Sequence, residues 1–510
     1  MLFNSYIFLL LFLPVTYAGY RLLIRYGRQE SALLWLNVCS FFFYGWWNPA
    51  YIPLMFGSIA INFLIGQQLH RQAHKSSGRM LLILGVTLNL LCLGYFKYTH
   101  FILDNLNDFF GTHYYQSDII LPLAISFFTF QQIAYLVDTW NGKGDNYHFR
   151  YYCLFVVFFP HLLAGPIVHH REIIPQFLKP EDTQQRTQHL AMALTAISFG
   201  LFKKVILADS FAFYANQLFE RAQTDVPIGF FDAWIGAVSF TLQIYFDFSA
   251  YSDIACGIAL LFGVRLPQNF ASPYRATSII EFWQSWHMTL SRFLRNYVYI
   301  PLGGNRKGPV NRYLNLVITM LLGGLWHGAG WPFILWGAMQ GGLLMINHAW
   351  RALTTSTPAN ATKQHTLRIP TSIAWLLTYI CIVLSWVVFR ADNTDSVWRI
   401  YHAMFDVTSL QWEHSLRQPV INDICRQLGW QIPTLWKILP VLFLLQLWVL
   451  FLPNLQQLMQ GYRLTPTALP NNSTRWHWEP NWRWSTLTAL SLSASLMALH
   501  DTGNFIYFQF

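Results

Sequence analysis

The sequence predicts an all-α polytopic membrane protein, and three observations predict it. Only 11% of the 510 residues are charged and 54% are hydrophobic, against roughly 25% charged in an average soluble domain. Apolar runs of about twenty residues recur along the whole chain, the length a helix needs to cross a hydrocarbon core of ~30 Å. The basic residues also alternate between loops. Arg21, Arg25 and Arg28 follow the first run, His70, Arg71, His74, Lys75 and Arg79 the third, and Lys143 and Arg150 the fifth. The loops between them, Trp46 to Pro49 and Asp104 to Asp118, carry no Lys or Arg. This is the positive-inside pattern, and it puts the N-terminus outside the cytoplasm. It also accounts for the net charge of +10 without nucleic acid, which requires Lys and Arg gathered on one face or block.

Five plain spans come first, near 2–23, 32–47, 51–68, 80–103 and 118–140. The first has its positive charges after the apolar run, the reverse of a secretory signal, and is expected to remain as a helix. Tyr151 to Val168 is interrupted by Pro160 and by Gly165-Pro166. Proline removes a backbone donor, so this stretch is predicted to be broken or re-entrant and to be buried in protein or to line a cavity. A polar loop from Arg171 to Gln188 precedes a run holding Lys203 and Lys204, predicted as an in-plane segment whose lysines snorkel. Further runs occupy about 230–262, 313–348, 371–390, 436–453 and 486–500, making about eleven to thirteen spanning, re-entrant and interfacial helices. The polar stretches 351–370 and 460–484 are predicted to be exposed loops. A single membrane domain is the simplest organisation, with N-terminal helices at 1–150, a core with broken segments at 151–350 and C-terminal helices at 371–510. The six cysteines are scattered and form no C-x-x-C pair, so they read as small buried hydrophobes rather than disulfides or a metal site.

Ionisable groups inside apolar runs are costly and therefore mark candidate sites. His327 is the sharpest. It stands in Leu321-Leu-Gly-Gly-Leu-Trp-His-Gly-Ala-Gly-Trp331 without a charged neighbour, and the glycines let backbone or substrate approach its imidazole. A neutral imidazole titrates near physiological pH and suits proton abstraction from a hydroxyl. The same residues also suit helix packing, with Gly324 and Gly328 as a G-x-x-x-G pair. Both readings stay open on composition. His287, in Phe282-Trp-Gln-Ser-Trp-His287, is either an interior histidine between tryptophans or a second catalytic group. One straight helix would hold it ~60 Å from His327, but Pro301-Leu-Gly-Gly-Asn-Arg-Lys-Gly308 breaks the chain and lets it turn back. Asp247 and Asp253 lack helical i, i+3 or i+4 spacing, which favours structural pairing, with Arg292, Arg295 or a cavity water as partner. His161, His169 and His170 have no matching carboxylate or cysteine for a metal and read as a polar patch at the membrane edge.

At these positions the sequence resembles the membrane-bound O-acyltransferase (MBOAT) family, in its AlgI-like bacterial polysaccharide O-acetyltransferase branch. The blocks are Gly94 to Tyr98, Leu121 to Phe130, Phe159 to Pro166, Tyr245 to Asp253, Phe282 to Asn305, Leu321 to Gly330 and Phe505 to Phe510. The resemblance implies a ring of helices around a central tunnel, and acyl transfer from a thioester to a hydroxyl. His327 would be the catalytic histidine and His287 its partner. Trp286, Arg295, Asn296, Asn305, Trp326 and Asp247 would be substrate or tunnel residues. The implied donor is acetyl-CoA used as a substrate, with no bound cofactor and no metal. The implied setting is a bacterial inner membrane with a periplasmic N-terminus, beside an exported SGNH-type acetyltransferase and polysaccharide modification and export machinery. Alginate, peptidoglycan, cellulose or another glycan could be the acceptor. Rival readings are a transporter or flippase, a structural assembly subunit, or a D-alanyl or lipid acyltransferase of the same family. The repeated halves a transporter needs are not visible in the sequence.

Overall fold

The computed structural model describes residues 1–73, 75–179, 185–355, 369–409, 434–466, 476–499 and 505–506. Every regular element among the described residues is helical. Six helices are long and apolar enough to cross a membrane: Ile7–Arg25, Pro49–Arg71, Ser76–Phe110, Arg186–Ala222, Phe230–Leu261 and Thr371–Arg390. The described residues fall into two compact units, the first within Met1–Phe202, Ser249–Asn269 and Leu455–Gln509, the second within Lys203–Phe248 and Phe270–Asn454.

The first unit opens with a π turn, Ile7–Phe12, leading into α1 (Leu13–Arg25), α2 (Gln29–Gly45), α3 (Ile52–Arg71), α4 (Ser76–Phe110) and α5 (Ile125–Trp140). Helices form at all five expected spans, though α2 (17 residues) and α5 (16 residues) are shorter than the six above, and two ends are displaced by several residues. Helix α4 runs past 103 to Phe110 and stops at Gly111, which takes the left-handed conformation (φ 61°) that glycine adopts without penalty. Helix α5 starts at Ile125 rather than 118 because Pro122 and a left-handed Ala124 (φ 60°) precede it. Phe8, Phe12, Phe43 and Phe159 interlock at ring separations of 5.2–6.2 Å. Asn62 on α3 and Asn89 on α4 exchange amide hydrogen bonds of 2.6 and 3.2 Å, so neither polar group is left bare in an apolar setting.

The interrupted stretch is broken where the prolines predicted. Helix α6 (Phe149–Val157) ends at Phe158, and α7 is only Phe159–Leu162 before the chain turns through Gly165-Pro166 into α8 (His170–Leu178). The Phe159 N–H released by the break donates to Ser40 Oγ at 3.3 Å. Two of the three histidines expected as an edge patch, His161 and His170, are instead fully buried, and His169 is part-exposed. His161 Nδ1 meets the Gln131 amide at 3.2 Å, and His170 lies 3.7 Å from the Asp138 carboxylate. The return of α8 onto the break encloses them. Helix α9 (Arg186–Phe202) packs on the C-terminal helix Trp482–Met497, where the Thr195 and Thr488 hydroxyls are 3.2 Å apart. Five cysteines are described, all as free thiols, and Cys425 lies outside the described residues. The expected loops 351–370 and 460–484 lie outside them at 356–368 and 467–475.

The second unit comprises a π turn Lys203–Ala208, α10 (Asp209–Ala222), the first part of α11 (Phe230–Leu261), α12 (Ile279–Ser285), α13 (Met288–Leu294), α14 (Gly308–His327), α15 (Trp331–Thr355), α16 (Thr371–Arg390), α17 (Thr394–Phe405) and α18 (Thr434–Phe451). Helix α11 is apolar all round except for isolated polar groups and is buried, as such a pattern requires.

Candidate active site

The depth of α11 is fixed by a buried charge cluster. Lys204 Nζ, 1% exposed, is 2.7 Å from both Asp209 and Asp247. The Lys204 ammonium therefore does not snorkel, and Asp247 pairs with it. An ammonium out of water costs several kcal/mol unless it is paired, and two carboxylates within hydrogen-bond reach supply the compensation. Asp253, in the first unit, accepts instead from Gln456 Nε2 at 2.7 Å. The next residue after Asp247 is Phe248, and its ring stands edge-on to His287 at 4.8 Å.

His287 sits in a bend between two short helices. Helix α12 is started by Ser278, whose Oγ accepts from the Glu281 N–H at 3.3 Å while the Glu281 carboxylate accepts from the Thr277 N–H at 2.9 Å. At His287 the backbone turns left-handed (φ 41°, ψ 52°) and α13 begins. For a residue with a Cβ this conformation costs roughly 1–2 kcal/mol, and such strain persists only where the surroundings over-determine it. Its imidazole is fully buried.

The reversal expected at Pro301–Gly308 is present. Gly303, Gly304 and Gly308 all have positive φ (114°, 58° and 87°), and Asn315 Nδ2 donates to the Gly304 carbonyl at 2.9 Å, tying the turn to α14. Helix α14 then runs back and ends on His327. Helices α14 and α15 approach through glycines. A Cβ on Gly324 would run into the Phe333 carbonyl, and one on Gly337 would lie 2.5 Å from the Met320 carbonyl. The glycines around His327 thus serve close packing, and that packing is what holds the histidine in place.

His327 is 7% exposed and meets Trp326 at 4.9 Å, Trp336 at 5.2 Å and Phe389 at 5.2 Å, all three edge-on. His287 reaches the same Trp326 ring at 6.5 Å. A second path of rings joins the two histidines, from His287 to Phe270 (6.5 Å), Trp286 (5.1 Å), Trp386 (4.9 Å), Trp336 (6.1 Å) and His327. Two imidazoles are therefore set in one aromatic enclosure. A water-poor wall of this kind strengthens any polar interaction made inside it.

Of the residues singled out from sequence, the structure gathers His287, His327, Trp286 and Trp326. Asp247 anchors the cluster from below through Phe248. Arg295, Asn296 and Asn305 are exposed and do not join the aromatic enclosure. Sequence reading missed Phe248, Tyr274, Trp336, Gln340, Trp386 and Phe389. The i, i+4 spacing of Trp336 and Gln340 and the Trp386-to-Phe389 spacing on α16 were legible, but aromatic residues at helical spacing are ordinary core. Trp283 Nε1 donates to Gln340 Oε1 at 3.1 Å, which turns the Gln340 amide nitrogen away from that contact. Among the described residues the buried Gln340 Nε2 and Trp336 Nε1 have no hydrogen-bond partner, and buried donors of this kind call for an explanation. Also among the described residues, no cluster of His, Cys, Asp or Glu could hold a metal ion.

Comparison with known proteins places this site in context. A family model for the membrane-bound O-acyltransferase family matches residues 141–386, which include both histidines. A peptidoglycan O-acetyltransferase of Helicobacter pylori is 42% identical over 440 residues, covering 81% of each chain. The “Probable alginate O-acetylase AlgI” of Pseudomonas aeruginosa is 40% identical over 417 residues, covering 81% of this chain and 76% of that one. A teichoic acid D-alanyltransferase of Streptococcus thermophilus is 25% identical over 291 residues, 54% of this chain and 69% of its own.

Proposed function

With the chain belonging to the membrane-bound O-acyltransferase family, and so an O-acyltransferase, we propose that it carries an acetyl group from cytoplasmic acetyl-CoA across a bacterial inner membrane for O-acetylation of an envelope glycan or exopolysaccharide. Its N-terminus is periplasmic in this reading. An exported SGNH-type acetyltransferase, acting with the polysaccharide modification and export machinery, completes the transfer onto polymer. The peptidoglycan and alginate O-acetylating relatives support the acetyl group and the glycan class. The observation that carries the reading is the enclosure of His287 and His327 around Trp326.

In this mechanism His327 takes the proton of the acceptor hydroxyl as its oxygen attacks the thioester carbonyl. The C–S bond breaks, the thiolate leaves and recovers a proton from His327, and an ester and a free thiol result. His287 orients the acyl group. The Trp336 and Gln340 N–H donors are available to the carbonyl oxygen as negative charge develops on it. Both histidines are held by ring packing, so little reorganisation accompanies the reaction.

Transfer of radiolabelled acetyl from acetyl-CoA, by purified protein in liposomes, tests this reading. Label reaching protein or an exported acceptor in the wild type, and lost in His327→Ala, is the expected result. Equal labelling by that variant overturns the assignment of His327, and uptake of a solute without acetyl transfer overturns the acyl-transfer reading.

A further inference from the structure

A second site lies in the first unit, built from residues the proposed chemistry does not use. A cleft of about 590 Å³ sits at the end of the membrane-spanning helix Ile7–Arg25. Its lining includes the apolar Tyr20, Ile24, Leu36 and Phe262 together with Lys179, His189, Arg265 and Arg463. None of its described lining residues is acidic. Cations gathered without a carboxylate repel one another, and an anion among them removes that repulsion.

Arg265 is held in a prepared position. Gln176 accepts from the Arg265 backbone N–H at 2.8 Å and donates to its carbonyl at 3.1 Å, so one side-chain amide clamps the residue from both sides. Its guanidinium Nη2 lies 3.0 Å from His189 Nε2. An arginine has no lone pair to offer, so in this contact the imidazole nitrogen accepts. Arg265 Nε is buried and has no hydrogen-bond partner among the described residues. Burial, and after it the charge of Arg463, push the Arg265 guanidinium below its ordinary range. Arg463 is exposed and stands at a left-handed turn (φ 54°). A planar guanidinium with a spare N–H, flanked by a second arginine and a lysine, matches the oxygens of a phosphate.

We propose that this cleft binds a phosphate ester on an apolar body, with the phosphate seated between Arg265 and Arg463 and the apolar part lying along Tyr20, Ile24, Leu36 and Phe262. A phospholipid headgroup at the membrane edge and a soluble phosphate ester share this chemistry. The site is independent of the histidine enclosure.

The test is binding by the purified full chain in nanodiscs, read by native mass spectrometry after release, with dioleoyl phosphatidic acid against dioleoyl phosphatidylcholine, and in parallel with inorganic phosphate or sulfate in detergent. The expected result is retention of phosphatidic acid over phosphatidylcholine, weakened roughly tenfold for each of Arg265→Gln and Arg463→Asn. Binding of inorganic phosphate with the same arginine dependence, but no preference for phosphatidic acid, keeps the phosphate seat and overturns the apolar half of the proposal. Equal binding of every probe by wild type and variants overturns the proposal entirely. Arg463→Asn alone decides the matter if Arg265→Gln does not fold, since asparagine adopts the left-handed turn and the side chain it replaces is exposed.

Discussion

His287 reaches the indole of Trp326 at a ring separation of 6.5 Å, and Trp326 is the chain neighbour of His327. Two histidines that a straight helix would keep far apart thus share one aromatic wall, because the glycine turn at 303–308 reverses the chain and α14 brings His327 back.

His327→Ala is expected to lower acetyl transfer by about 10²–10⁴-fold, the usual contribution of a positioned general base. Its elution on size exclusion should match wild type and its melting in detergent should fall by a few degrees, since the change empties space among Trp326, Trp336 and Phe389. Wild-type turnover in a well-folded H327A preparation would remove His327 from the chemistry.

The left-handed backbone at His287 separates its conformational role from its chemical one. Both His287→Gly and His287→Ala lose the ring contact with Phe248, but glycine relieves the left-handed strain while alanine keeps the Cβ penalty, so the glycine variant should be the more stable of the two by roughly 1 kcal/mol. Both should lose transfer. Recovery of activity in the glycine variant would show that only the turn matters.

Lys204→Met leaves Asp247 and Asp209 without the ammonium they share. A loss of about 3–5 kcal/mol is expected from breaking a buried pair on one side, read as a lower midpoint in a denaturant titration of the detergent-solubilised protein. Adding Asp247→Asn to Lys204→Met should restore part of it. If the double variant is no more stable than the single one, the cluster is not coupled in this way.

Trp336→Phe keeps a ring against His327 and removes only the indole N–H. A fall of about 10²-fold in turnover, with acceptor affinity unchanged, is expected if that N–H meets the developing oxyanion. A purely packing role predicts altered melting and unaltered turnover.

Gly337→Ala places a Cβ 2.5 Å from the Met320 carbonyl. Helix α15 must then move from α14, at a cost of about 1–3 kcal/mol, and the contact between Trp336 and His327 opens. Melting and acetyl transfer should fall together; a variant as stable and active as wild type would mean that the glycine contact between the helices is dispensable.

The spans were legible because lipid requires long apolar runs and loops carry the charge. The break at Pro160 and Gly165-Pro166 and the reversal at 303–308 were legible because proline lacks a donor and glycine alone takes positive φ freely. Lys204 misled, since a lysine in an apolar run can either reach for the interface or find carboxylates. Its partners, Asp209 and Asp247, are on different helices. The exposed positions of Arg295 and Asn296 fall in a π turn at Arg295–Tyr299, which the residue pattern did not announce, and that of Asn305 falls in the glycine reversal at 303–308.

By itself the sequence determined a polytopic α-helical membrane protein, the places where its helices must break, and the two histidines worth testing. These follow from solvent, backbone geometry and the cost of burying an ionisable group, all of which act locally. Only the tertiary structure decided that His287 and His327 share an aromatic enclosure, that Lys204 is buried between two carboxylates, and that Arg265 and Arg463 face one cleft. Each of these joins residues distant along the chain, and their meeting depends on how helices pack, which no single segment encodes.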